Sequence, residues 1–245
     1  MPKAPKWLAD TIETMFSSHM HPVTVSEVNY IDQQLKQVRF EGDLSRTNFQ
    51  PGQVVQLRVS ETEYRHYTPS FFDKENGVCE VLFYLHGQGP GSHWARSLQK
   101  GQTIKFRGPG GRLRYDGLAK YHFMFGDETS IGLFQCIKDV VNQNRQEYLC
   151  ILELENEFAT WPDCASLSAE VVAKSLEEPA SEAIQILDSV STPDSVFWDV
   201  WKDATFYLAG RAKSIQSFRK KLKQLGISGR QIRTEPYWAE GKQGL

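Results

Sequence analysis

The chain has 245 residues, enough for one large domain or two small ones, each with its own core. Its 28 basic and 30 acidic residues leave no global basic field, which excludes a nucleic-acid binder that works by charge. The charged fraction of 24% and hydrophobic fraction of 40% are those of an ordinary soluble globular protein, and 12% aromatics leave rings for stacking on a ligand beyond those a core needs.

Residues 1–20 are expected to form an amphipathic helix. Trp7, Leu8, Ile12, Met15 and Phe16 fall at helical spacing, and Asp10 and Glu13 interrupt any apolar run, so the segment reads as neither a signal sequence nor an anchor. No stretch reaches the length of a membrane span, and a cytoplasmic location is expected. Cys79, Cys136, Cys150 and Cys164 lie far apart without a C-x-x-C pair, which argues against a metal site and against a disulfide framework. His19 and His21 in SSHMHP have no nearby carboxylate pair and read as surface or linker residues.

From residue 21 to 117 the pattern is all-β. The runs VTVSEVNYI, QLKQVRF, QVVQLRVS, RHYTPSFF, CEVLFYLHG and TIKFRG, separated by turn signals such as QPGQ and DKENG, predict an antiparallel six-stranded β-barrel with one short helix near SHWARSLQ. From 118 to 245 strands alternate with helices: YHFMFG, SIGLFQCIKDVVNQN, EYLCILELE, later AIQIL, then TFYLAG, SIQSFRKKLKQLG and RQIRTEP. Ile131, Phe134, Ile137 and Val141 share one helix face; Ile215, Phe218, Leu222 and Leu225 share another, and KKLK is its solvated side. This alternation predicts an open parallel-sheet α/β domain. Residues 158–200 are the least readable stretch.

Three loops carry chemistry. In RHYT, Arg65 and Tyr67 are two apart on a strand and so share a face, with Thr68 beside them: a cation, a flat ring and a hydroxyl. HGQGPGSHWA follows an apolar strand and opens a helix; Gly89 and Gly91 allow close backbone approach, and Ser92 stands where an N-cap is expected. Such a start binds phosphate readily, or is an ordinary capped turn. GDETS at 126–130 ends the first strand of the α/β domain, with Asp127 and Thr129 either lining a nucleotide crevice or capping the helix. Gly210 and Arg211 end a second strand facing that crevice, and no G-x-G-x-x-G is present.

With R-x-Y-T at Arg65–Thr68, HG-x-GPGS-x-WA at His86–Ala95, GP-x-G at Gly108–Gly111, GDET at Gly126–Thr129 and YW-x-x-G at Tyr237–Gly241, in this order, the sequence resembles the siderophore-interacting protein family, FAD-dependent ferric-siderophore reductases of the ferredoxin-reductase superfamily. The resemblance implies an FAD-binding barrel followed by an NAD(P)H-binding domain. Arg65 would pair with the FAD pyrophosphate, Tyr67 would pack on the isoalloxazine, and Thr68 would hydrogen-bond near N5, making Tyr67 and Thr68 the catalytic pair. Gly89, Gly91 and Ser92 would hold phosphate, His86 would neighbour the flavin or serve as a structural hydrogen-bonder, and Trp94 would anchor the helix. Asp127, Thr129, Gly210, Arg211 and Trp238 would complete the cofactor sites. The implied substrate is a ferric siderophore, with NADH, NADPH or a ferredoxin as electron source and no protein metal ligand.

Three positions depart from the family's pattern: Gly132 stands where GDET-x-x-P has proline, Ser70 where an arginine often follows R-x-Y-T-x, and Arg211 where a glutamate is usual. They keep a rival reading open, a flavin-containing siderophore-binding module without nicotinamide turnover. Glu153, Glu155 and Glu157, at the end of the second strand, favour a free ribose 2′-hydroxyl and hence NADH, against Arg211 and Lys213, which would favour a 2′-phosphate. Arg211, Lys242 and Arg114 are candidates for a basic rim around an anionic siderophore, or are plain surface charges.

Overall fold

The computed structural model describes residues 20–87 and 89–241; the predicted N-terminal helix, His19 and Lys242 lie outside the described residues. The chain divides after Arg112 into two compact units.

The first unit is an antiparallel sheet of β1 (Met20–Tyr30), β2 (Leu35–Gly42), β3 (Val54–Arg58), β4 (Tyr64–Tyr67), β5 (Phe71–Asp73), β6 (Val78–Tyr84) and β7 (Thr103–Gly110), in the order β4-β3-β7-β1-β2-β6-β5. The six predicted runs give seven strands because RHYTPSFF is two. Pro69 has no N–H to donate to a ladder, so the run breaks at Thr68–Ser70. That break also curls the sheet. β4 and β5 are its two edges yet are consecutive in the chain, and the Ser70 N–H donates to the Glu80 carbonyl of β6 at 2.8 Å. Alternation along each strand turns Val25, Val38, Val55, Leu57, Val81, Phe83 and Phe106 inward. Helix α1 (Pro90–Ser97) packs Ala95 on this core, with Leu98 just past its end.

The second unit is a parallel sheet of β8 (Tyr121–Gly126), β9 (Glu147–Leu154), β10 (Glu170–Ala173), β11 (Thr205–Arg211) and β12 (Ile232–Trp238), ordered β10-β9-β8-β11-β12. Its helices are α2 (Ile131–Gln143), α3 (Trp161–Cys164), α4 (Ser181–Val190), α5 (Val196–Trp201) and α6 (Ala212–Gln224). The predicted stripe of α2 is fully buried, as are Ile215, Phe218 and Leu222 of α6. Phe123, Met124 and Phe125 are buried in succession, as is all of β11, the mark of strands covered on both faces. AIQIL belongs to α4. Within the stretch that could not be read, β10 is a four-residue edge strand with only two valines to signal it.

The chain leaves β8 in one direction to β9 and β10, then returns to the other side of β8 as β11. Between the carboxyl ends of β8 and β11 lies the switch point where open α/β sheets bind ligands. No helix among the described residues is long and apolar enough to cross a membrane.

Phe218 is fully buried and stacks on Phe125 at 4.2 Å, joining α6 to the centre of the sheet. Phe218→Ala should cost about 3–5 kcal/mol of the second unit's stability, read by denaturant unfolding. A loss under about 1 kcal/mol would mean that α6 is held elsewhere.

Candidate functional site

In the first unit, core residues Val55 and Leu57 of β3 pair with Tyr67 and Arg65 of β4. The two predicted partners therefore share the inner face, and His66 turns outward beside Gln56. Tyr67 meets Phe83 edge-on at 4.7 Å and lies nearly parallel to Trp94 at 6.5 Å. Burial pushes its phenol well above the ordinary tyrosine range, so it acts as a neutral hydroxyl. The Arg65 guanidinium donates to the Tyr64 carbonyl at 2.9 Å and to the Glu63 carboxylate at 3.3 Å. Thr68 follows, buried.

HGQGPGSHWA runs from the end of β6 into α1, but Ser92 is not the N-cap expected of it. Gly89 takes that place, because Pro90 occupies the first helical position, where a missing N–H leaves nothing unpaired. Ser92 lies one turn in and donates its hydroxyl to the His86 carbonyl at 2.7 Å. His86 itself is exposed, with its ring 5.3 Å from Tyr84. The decisive contact is at Gly91: a Cβ there would stand 2.6 Å from the Tyr67 hydroxyl and 3.4 Å from Arg65 Cγ. Glycine thus lets the helix start press onto the two R-x-Y-T side chains. First-turn amides, which no intrahelical carbonyl can serve, come beside the Arg65 side chain.

In the second unit the switch point is organised by Asp127. One carboxylate oxygen accepts from the Thr129 N–H at 2.9 Å; the other accepts from the Arg211 N–H at 2.8 Å and from Trp238 Nε1 at 2.7 Å. A single buried side chain so joins the carboxyl ends of β8, β11 and β12. Gly210 permits this: its φ is +107°, and a Cβ would lie 2.5 Å from the Asp127 carboxylate. Ser130 Oγ donates to the Asp127 carbonyl at 2.6 Å, so the loop is tied down although Gly132 stands where the family has proline.

Arg211 is 1% exposed and cannot belong to an open basic rim. Its guanidinium donates to the carbonyls of Ser175 (2.6 Å) and Leu176 (2.9 Å) and pairs with Glu240. Glu153 is likewise no ribose ligand: it is buried, accepting from Ala180 N–H at 2.6 Å and Ser214 Oγ at 2.7 Å. Glu155 and Glu157 are the exposed carboxylates beyond β9; Arg114 and Lys213 are exposed too. Sequence reasoning missed the buried pair of Glu128 with Lys174, whose ammonium lies 5.7 Å over the Trp238 ring, and it missed Glu240. Their partners are too distant in the chain for spacing to signal them.

Residues 32–113 match the siderophore-interacting FAD-binding domain, and residues 119–241 match the siderophore-interacting protein domain. The chain belongs to the siderophore-interacting protein family. Over 93% of its length it is 28% identical to the mycobactin import ATP-binding/permease protein IrtA of Mycobacterium tuberculosis, of which it spans 27%. Over 51% it is 30% identical to NADH-cytochrome b5 reductase 1 of Aspergillus fumigatus, of which it spans 42%. The fold is that of the siderophore-interacting protein SipS from Aeromonas hydrophila, with a TM-score of 0.70 at 18% identity over 91% of this chain and 93% of that one. The family's two domains cover both sites described above.

Burial raises the Glu153 carboxyl above the ordinary glutamate value of 4.5, against the opposing effect of its hydrogen bonds. A carboxyl whose folded pKa is raised binds its proton more tightly when folded. Its contribution to stability is present below the unfolded value and is lost as pH rises through the folded one. Glu153→Gln can keep both hydrogen bonds without the charge. As pH rises from below the ordinary glutamate value of 4.5, the wild type should therefore lose melting temperature relative to Glu153→Gln. Parallel curves would mean that Glu153 titrates normally.

Proposed function

We propose that this protein is an FAD-containing, NAD(P)H-dependent ferric-siderophore reductase of the cytoplasm that releases iron as Fe(II). The observation that carries the reading is the Gly91 contact. It sets the amides of α1 beside Arg65, and that donor set fits a pyrophosphate: a planar guanidinium with several N–H donors and a helix start whose dipole favours an anion. FMN, with a single phosphate, fits less well.

When bound, FAD would supply the redox chemistry, coupling a two-electron nicotinamide donor to a one-electron iron acceptor. Arg65 and the Gly91 and Ser92 amides hold the phosphates; Arg65 exchanges its Glu63 partner to do so. Tyr67, fixed by Phe83 and Trp94, offers ring surface and a neutral hydroxyl. Thr68 gives a hydroxyl that orients the reacting edge of the ring. Asp127 holds the loops at the switch point of the second unit, with Thr129, Gly210 and Trp238 around it, where the dinucleotide is expected. Arg211 acts there through its hold on the loop at 175–176 and on Glu240. With that cation engaged and Glu155 and Glu157 exposed past β9, a 2′-phosphate is disfavoured and NADH is the preferred donor. Iron itself needs no protein ligand, since Fe(II) is held far less well than Fe(III) by hard oxygen donors.

Arg65→Ala should purify with little flavin and recover part of its activity in excess FAD. Thr68→Val, which keeps the shape of the side chain, should retain FAD yet slow flavin reduction in anaerobic stopped flow. A Thr68→Val variant as fast as wild type would return Thr68 to a strand residue. The reaction is tested by trapping Fe(II) with a strong chelator, anaerobically, with NADH and catecholate, hydroxamate or citrate complexes of iron. Release from at least one supports the reductase. Bound FAD that neither NADH nor NADPH bleaches, with no iron released, would replace it with the siderophore-binding module.

A further inference from the structure

Lys36 is a lysine on a barrel strand that is 1% exposed, and the roles given to Arg65, Tyr67, Thr68 and α1 do not call on it. Burying an ammonium is costly unless all of its donors are satisfied, and this one satisfies three on one element. Its Nζ donates to the carbonyls of Ala95 at 2.7 Å, Arg96 at 3.1 Å and Leu98 at 2.9 Å, the carboxyl end of α1. The Ala95 carbonyl also accepts from the Leu98 N–H at 3.4 Å, and the negative end of the helix dipole favours a cation there. The Tyr30 ring lies 5.0 Å from the ammonium on another side.

The consequence falls at the far end of the helix. α1 has eight residues, about 12 Å, and is stiff over that length. Its amino end is held to the preceding loop by Ser92 on the His86 carbonyl, and from its last turn Arg96 reaches back to the carbonyls of Leu85 (2.7 Å) and Gly87 (3.0 Å). That loop starts from the barrel itself, with Leu85 buried in the core and its N–H on the Gln34 carbonyl at 2.7 Å. Lys36 reaches in from β2, whose ladder runs beside β1 and β6, so it ties the helix to the body of the barrel. We propose that Lys36 is a positioning residue for flavin pyrophosphate recognition: by fixing the carboxyl end of α1 to the barrel it sets where Gly91 meets Arg65 and Tyr67. The proposal rests on the FAD reading above.

The test is flavin binding to full-length protein stripped of flavin, with FAD and with riboflavin, which has no phosphate, for wild type and Lys36→Met. If Lys36 acts through the phosphate end of the site, Lys36→Met should weaken FAD by about tenfold or more and leave riboflavin within about twofold. A general loss of barrel structure would weaken both alike and would overturn the proposal, as would a variant that binds FAD like wild type. Should Lys36→Met fail to fold, the same ratio is read on Lys36→Gln, which keeps two N–H donors: a selective loss of FAD supports the proposal and an unchanged ratio sinks it. Wild type that binds the two flavins equally would overturn the FAD reading itself, and the proposal with it.

Discussion

The contact of Gly91 with Tyr67 and Arg65 is the constraint on which the proposed FAD site depends. It joins a strand and a helix that are apart in sequence, bringing the helix start onto the packed Tyr67 ring and the Arg65 side chain. Each partner is fixed from behind: Tyr67 by Phe83 and Trp94, the helix by Lys36 and Arg96 at its carboxyl end and by Ser92 at its amino end. Because the tyrosine ring is packed on its neighbours, a side chain at 91 would have to part the Tyr67 hydroxyl from the helix start. Preorganisation of this kind lets a site recognise a charged group without ordering itself on binding.

The second unit solves a different problem. A parallel sheet ends in loops from strands that are distant in the chain, and a binding surface there is only as defined as those loops. Asp127 defines them by accepting from the ends of two strands and from its own helix start, while Arg211 draws in the loop after β10 and the segment after β12. A glutamate at 211, the family's usual residue, would face the carboxylate of Glu240 and leave two carbonyls without donors. The arginine and Glu240 therefore form a local solution that differs from the family's pattern without opening the site.

What could be read in advance follows from range. The stripes of α2 and α6 and the two-residue spacing of Arg65 and Tyr67 are local properties, and they survive folding unchanged. The barrel and the parallel sheet followed from the same periodicities. Ser92 was misplaced because one proline decides where a helix begins, and a serine one turn late can bond backward to His86. Arg211 looked like a rim charge and Glu153 like a ribose ligand because their partners, Ser175, Glu240 and Ser214, lie dozens of residues away. Lys36 in LKQVRF carries no local sign of a helix it meets 59 residues later. β10 is short and at an edge, where little hydrophobic pattern is required.

The central claim is that close approach at Gly91 makes the FAD site. Gly91→Ala adds one methyl group at a position with ordinary helical geometry, so the barrel should still fold, with a melting temperature near that of wild type. The measurement is the dissociation constant for FAD by quenching of flavin fluorescence. The account predicts a loss of about tenfold or more, since the Tyr67 hydroxyl and the helix start must separate to admit the methyl. A folded Gly91→Ala protein that binds FAD as tightly as wild type would contradict it.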